Sequence, residues 1–105
     1  MMGTTRNDYT NEYYKYVCSE IVPNFIYLGG DKVASNKELL QENGITHVIN
    51  CAADHSSNYF ADSLTYKTYH LKDNVRENIE CVFYDSIDFF EEAKKRNGRV
   101  FVHCV

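Results

Sequence analysis

Residues 99–105 read Arg-Val-Phe-Val-His-Cys-Val. Val100-Phe101-Val102 is an unbroken apolar run without alternation, which predicts a central parallel strand covered on both faces. Upstream, Ile79, Val82, Phe83, Ile87, Phe90 and Ala93 recur at spacings of three and four. That period is the mark of one helix over about residues 77–97 with a single buried face. Glu77 and Glu80 fall in its first turn, and Lys94, Lys95 and Arg96 in its last, as the helix macrodipole favours. Gly98 reads as its C-cap. The region therefore predicts a long amphipathic helix feeding a buried strand.

Working toward the N-terminus, Thr65 to Leu71 reads as a further strand, and residues 52–63 as a loop with a turn of helix. Ile45-Thr46-His47-Val48-Ile49-Asn50-Cys51 is rich in β-branched residues and predicts another strand. Ser35 and Glu38 form an S-x-x-E capping box. The helix it opens, over about Asn36 to Asn43, buries Leu39 and Leu40 and stops at Gly44. Before it, Phe25-Ile26-Tyr27-Leu28 predicts a short strand between a Pro23-Asn24 turn and Gly29-Gly30. A strand, a helix and a strand with a short crossover imply parallel pairing. The expected class is α/β, with a mostly parallel central sheet flanked by helices. Residues 1–20 read as a polar N-terminal arm carrying Tyr9, Tyr13, Tyr14 and Tyr16.

Composition narrows the function classes. The 105 residues are 44% hydrophobic, about one domain's worth with enough apolar material for a core. A net charge of −4 argues against a general nucleic-acid binder. No run approaches the roughly 20 apolar residues of a membrane span. The first residues lack an apolar stretch of the signal-peptide kind, so a cytoplasmic chain with reduced thiols is expected. Cys18, Cys51, Cys81 and Cys104 contain no C-x-x-C pair, which leaves zinc motifs unsupported. A metal site drawn from Cys51, His55 and His70 has a spacing that matches no known pattern. Cys18 and Cys81 read as packing residues, and His47 as structural or superficial.

His103-Cys104 stands at the carboxyl end of the last strand. In open α/β sheets, ligands bind outside the carboxyl ends of the strands. Loop amides and a helix N-terminus following such a strand stabilise a thiolate and bind anions. By itself, however, a cysteine at a strand end is more often a packing residue than a catalyst.

Three segments together carry a resemblance. Ile21 to Gly29, Gly44 to Ala52, and Val100 to Cys104 resemble, in order and spacing, the opening strand, second strand and nucleophile-bearing strand of dual-specificity protein phosphatase domains. These belong to the Cys-based tyrosine phosphatase superfamily, and the chain is most similar to the subgroup that acts on MAP kinases. The resemblance covers about residues 20–105, roughly the N-terminal two-thirds of such a domain. It implies a tyrosine-phosphatase-like fold that hydrolyses phosphotyrosine and phosphoserine or phosphothreonine. Cys104 would be the nucleophile that becomes phosphocysteine. Asp73, 31 residues earlier, would be general acid and then general base. His103 and Asn50 would support the site. No metal or other cofactor is implied. The partner would be a phosphoprotein, a MAP kinase among the candidates, with neither nucleic acid nor membrane, and the location cytoplasmic with nuclear access.

One departure matters. The family signature H-C-x-x-G-x-x-R continues to an Arg, and the 105 residues end at Val105. The rest of the domain is expected outside this stretch, and the stretch alone is expected to be inactive, because amides and that Arg supply most of the charge stabilisation. Two other readings stand beside the enzyme: a catalytically dead phosphoprotein-binding member of the same fold, and a rhodanese-like sulfur transferase. Cys104 and Asp73 speak against the first, and the position of Asp73 against the second. Lys72 and Arg76 flank Asp73 and read either as phosphate attractors or as solvated loop charges. Cys51 ends the second strand, which puts it on the sheet edge expected for Cys104, so a disulfide between them under oxidation is a further expectation.

Overall fold

The computed structural model describes residues 17–70 and 75–103, with the side chains of residues 71–79 outside that description. Five strands form one sheet: β1 (Ser19–Val22), β2 (Ile26–Gly29), β3 (His47–Asn50), β4 (Thr65–Thr68) and β5 (Val100–His103). Their spatial order is β1-β2-β5-β3-β4. β5 lies between β2 and β3 and pairs parallel with both, and β3 pairs parallel with β4. The α/β, mostly parallel sheet expected from the sequence is therefore present, and Val100–His103 is its buried central strand.

β1 was not expected. It pairs antiparallel with β2 and takes up Ser19 and Glu20 from the stretch read as an arm. Its four residues are all exposed, so it has no buried face to leave an alternating pattern. The connecting turn has Pro23 second and Asn24 third with φ +57°, closed by Phe25 N–H donating to the Val22 carbonyl at 2.9 Å. That is the sequence pattern of a type II turn.

Alternation along the strands sorts the core into two layers. Tyr27, Val48 and Phe101 point to one face, where Val33 and Ala34 of helix α1 (Asp31–Ala34) and Leu40 of helix α2 (Lys37–Glu42) cover them. Ile49, Val100 and Val102 point to the other face. Val82 of helix α3 (Val75–Asp85) and Ala93 of helix α4 (Ile87–Lys95) cover that side, with Phe83, Phe89 and Phe90 partly buried around them.

The structure amends several local expectations. The capping box is not formed. Asn36 caps α2 instead, its side-chain oxygen accepting from Leu39 N–H at 3.1 Å, while Ser35 donates to the Lys32 carbonyl. Asn is as good a cap as Ser, and it stands one residue nearer the helix. The single long helix is two helices meeting at Ser86. This residue is fully buried and its hydroxyl lies 2.8 Å from the Tyr69 hydroxyl. Ser86 and Ala93 are buried and Phe90 is partly buried, continuing the inward stripe of Val82. Ile87, expected on the buried face, is 48% exposed. Cys18 packs against the first core layer, and burial pushes its thiol up to about 11. Cys81, also read as packing, is exposed.

The end of α4 also differs from expectation. The left-handed residue is Asn97, with φ +56°, and Gly98 N–H donates to the Ala93 carbonyl at 2.8 Å. This is a Schellman ending with Asn in the usual glycine position. Gly98 is needed for space instead, because a Cβ there would overlap the Thr46 hydroxyl and press on the Ala93 carbonyl and His47. Gly98→Ala is expected to cost about 1–3 kcal/mol through this overpacking. Denaturant unfolding of the variant protein measures it, and an unchanged midpoint would show that the contact yields freely.

Candidate active site

The site is built on the first face, at the carboxyl edge of the sheet. Register places Gly29, His103, Asn50 and Thr68 side by side across β2, β5, β3 and β4. One pleat earlier the same face carries Tyr27, Phe101, Val48 and Tyr66, which belong to the apolar core. A single step of two residues thus turns an apolar row into a polar one.

Asn50 organises the loop beyond this row. It is fully buried, and its amide donates to the Ser56 carbonyl at 2.8 Å and to Asn58 Oδ1 at 2.9 Å. Its own Oδ1 accepts from Ala52 N–H at 2.9 Å. Asn58 in turn donates to the Thr68 hydroxyl at 3.1 Å. The loop after β3 is therefore folded back onto the strand ends, with the buried polar groups of Asn50 paired as burial requires.

From the other side, Asp31 opens α1, separated from β2 by Gly30 alone. Its Oδ1 accepts from the Ser56 hydroxyl at 2.5 Å and from the Tyr59 hydroxyl at 2.7 Å. The Ser56 hydrogen bond is the chief cause holding its carboxyl below the ordinary value of 3.8, partly offset by burial. Tyr59 and the charges of His103 and Lys32 lower it further. A lowered carboxyl contributes stability above its unfolded value, which is lost as the pH falls through the folded one.

His103 is fully buried and stacks on Phe101, with ring centroids 5.8 Å apart and planes 18° from parallel. Gly29 makes that packing possible, since a Cβ there would approach the Phe101 ring to 2.9 Å. Beyond the last pair of β3 and β5, Cys51 N–H donates to the His103 carbonyl at 2.9 Å. The pairing is thereby carried to the residue before Cys104.

The structure brings His103 and Asn50 together as register neighbours. Asp73, Cys104 and Lys72 lie outside the described residues, as does the side chain of Arg76. Cys51 is buried on the opposite face with Ile49 and Val102. His55 is exposed, and His70 Nδ1 lies 2.7 Å from Asp54 Oδ1. Among the described residues no group of three His, Cys, Asp or Glu could hold a metal ion. No described helix is long and apolar enough to cross a membrane. His47 is structural: buried at the far edge of the sheet, it lies 3.3 Å from Glu92 and edge-on to Phe89. Sequence reasoning missed Asp31, Ser56, Asn58 and Tyr59. Asp31 carried the one usable signal, a carboxylate directly after Gly29-Gly30 at a strand's carboxyl end.

The polar layer gathers around the end of β5 at His103, and comparison with known proteins gives the family. The family described as "Dual specificity phosphatase, catalytic domain" matches residues 26–105. The chain is 41% identical over 87 residues to the protein-tyrosine-phosphatase MKP1 of Arabidopsis thaliana, covering 83% of this chain and 11% of that protein. It is 42% identical over 85 residues to human dual specificity protein phosphatase 1, covering 81% of this chain and 23% of that protein. A crystal structure of the human tyrosine phosphatase-like serine/threonine/tyrosine-interacting protein superposes with a TM-score of 0.60 at 28% identity, over 82% of this chain and 60% of that one. The chain belongs to the dual-specificity phosphatase catalytic-domain family, and it spans less than a quarter of the length of these two sequence relatives.

Asn50→Ala removes three hydrogen bonds and strands the Ser56 carbonyl and the Ala52 amide. It is expected to destabilise the protein by about 3 kcal/mol, read from equilibrium unfolding. A loss under about 1 kcal/mol would show that the loop is held by other contacts.

Proposed function

We propose that the chain carries the nucleophile and the general acid of a dual-specificity protein phosphatase. The observation that carries the reading is the buried strand β5, which ends on His103 beneath a polar layer within a stretch that matches this family. Cys104 is the next residue, and the sulfur of its thiolate attacks phosphorus. The S–P bond forms as the bond from phosphorus to the Ser, Thr or Tyr oxygen breaks. Asp73 gives its proton to that leaving oxygen, so the dephosphorylated side chain departs neutral. Water then attacks the phosphocysteine, Asp73 takes its proton, and inorganic phosphate leaves with the thiolate restored. No metal or redox cofactor enters these steps.

Asn50 fixes the loop that borders the site, and His103 anchors the strand end from which Cys104 follows. The substrate in this reading is a phosphoprotein. A MAP kinase in the cytoplasm or nucleus is the candidate that the resemblance of the sequence to the MAP-kinase-directed subgroup suggests. A phosphoprotein-binding member without turnover is the second reading, favoured by the solved relative whose title calls it phosphatase-like and interacting.

The test is hydrolysis of para-nitrophenyl phosphate and of a doubly phosphorylated kinase-loop peptide by protein carrying the whole catalytic domain. Cys104→Ser is expected to lower kcat at least about 10⁴-fold. Asp73→Asn is expected to lower kcat by about 10²–10³-fold with KM little changed. Full activity in Cys104→Ser would remove the phosphatase mechanism. Binding of the phosphopeptide without any turnover by the unmodified protein would favour the second reading.

A further inference from the structure

The amino edge of the sheet, opposite the strand ends that form the site, carries a cavity of about 360 Å³. Two turns enclose it: residues 22–25 between β1 and β2, and residues 97–99 between α4 and β5. Lys94, from the last turn of α4, completes the wall. Each turn has an Asn in the left-handed conformation, Asn24 and Asn97, and both line the cavity. The adjoining sequence, Lys94-Lys95-Arg96-Asn97-Gly98-Arg99, holds four of the eleven Lys and Arg residues of a chain whose net charge is −4. The helix macrodipole accounts for cations in a last turn, but not for a cavity beside them.

The internal contacts show which of these cations are committed elsewhere. Arg96 donates to Glu92 at 2.7 Å, and Arg99 Nη1 donates to the Tyr27 hydroxyl and the Asn43 carbonyl, both at 3.1 Å. Among the described residues, neither Lys94 nor Lys95 is in an ion pair, and Glu91 one turn earlier meets neither. Lys94 Nζ stands 6.0 Å from the centre of the Phe25 ring. The ring face attracts the ammonium and keeps it at the cavity wall, with its three N–H donors still available. The nearby carboxylate of Glu20 is occupied by Asn24 N–H at 3.0 Å and the Tyr27 hydroxyl at 3.1 Å, so it does not neutralise the lysines. Exposed Val22 and Pro23, with the Phe25 ring, give the same cavity an apolar side.

We propose that this cavity docks an acidic, extended segment of a partner protein. Lys94 and Lys95 take its carboxylates, Val22, Pro23 and Phe25 take an apolar side chain, and the Asn24 and Asn97 amides serve its backbone as donors and acceptors. The volume suits one or two side chains rather than a folded element. A nucleic-acid backbone needs a basic path several phosphates long, and two uncommitted lysines on an acidic molecule do not supply one. The site goes beyond the phosphatase reading and does not rest on it. The length of strand β5, about 13 Å, separates it from the carboxyl edge, so docking there leaves that edge open.

The test is fluorescence anisotropy of a short labelled peptide of Glu and Asp with an internal Leu, titrated with protein carrying the whole catalytic domain. A Gln and Asn peptide with the same Leu is the control. Saturable binding of the acidic peptide alone is expected, weakened several-fold when ionic strength rises from about 0.05 M to about 0.3 M. Lys94→Glu with Lys95→Glu should weaken it at least about tenfold, whereas Lys32→Glu with Lys37→Glu, outside the cavity, should change it by less than about twofold. Backbone amide shifts on binding should fall in residues 22–25 and 94–99. No saturable binding, or an equal loss from the Lys32 and Lys37 pair, overturns the proposal. So do shifts confined to residues 29–31 and 50–59, which would put the peptide at the carboxyl edge. A short DNA duplex that binds more tightly than the peptide through the same lysines would make the surface a nucleic-acid contact and is equally fatal. If the double reversal does not fold, Lys94→Gln with Lys95→Gln is read in its place, with a loss of at least about threefold expected and no loss overturning the site. Binding is read without turnover. A protein that hydrolyses no phosphoester yet docks the peptide through Lys94 and Lys95 loses the phosphatase reading and keeps the docking site.

Discussion

Everything in this fold hangs on the placement of Val100–His103 between two parallel neighbours. The strand is buried along its whole length and pairs residue by residue with Ile26–Gly29 on one side and His47–Asn50 on the other. Its backbone groups have no water to turn to, so both ladders must form together. Burial of Phe101 on one face and of Val100 and Val102 on the other then fixes the register, because a slip of one residue would exchange the two layers.

That same register creates the site. With Phe101 fixed in the apolar layer, His103 must emerge on the same face one pleat later, in line with Gly29, Asn50 and Thr68. Each of these positions suits its neighbour. Gly29 leaves room for the Phe101 ring, on which His103 stacks, and Asn50 turns the following loop back across the strand ends. The loop then delivers Ser56 and Tyr59 to Asp31. Packing in the centre of the sheet and the polar layer at its edge are thus two consequences of one alignment. A substitution in either is expected to be felt in the other.

Much of this was legible in the sequence, for stated physical reasons. The unbroken run Val100-Phe101-Val102 announced a strand covered on both faces, and the β-branched stretch around Val48 and Ile49 announced its neighbour. The turn at Gly44 was equally plain, because its φ of +69° is one that glycine adopts readily. What stayed hidden had no local signal. β1 has no buried face, so it left no alternation. The break at Ser86 keeps its helical hydrogen bonds, to Val82 behind and from Phe90 ahead, and only the partner hydroxyl of Tyr69 marks it as buried. The cap at Asn36 competed with an equally good Ser35. Asp31 is far in sequence from Ser56 and Tyr59 and meets them only because β2 and β3 flank the same strand. Pairings of that kind depend on topology, which a linear pattern does not carry.

In the proposed mechanism, chemistry occurs at the residue following His103, on the end of the strand that organises the sheet. The most direct measurement is rapid denaturant quenching of the protein with a phosphopeptide during turnover, followed by mapping of the trapped phosphate at neutral to alkaline pH. A phosphate linked through sulfur is expected on the peptide containing Cys104, appearing faster than steady-state turnover and absent once substrate is exhausted. Sustained turnover with phosphate trapped on a different residue, or with none trapped at Cys104 under conditions that preserve phosphocysteine, would contradict it.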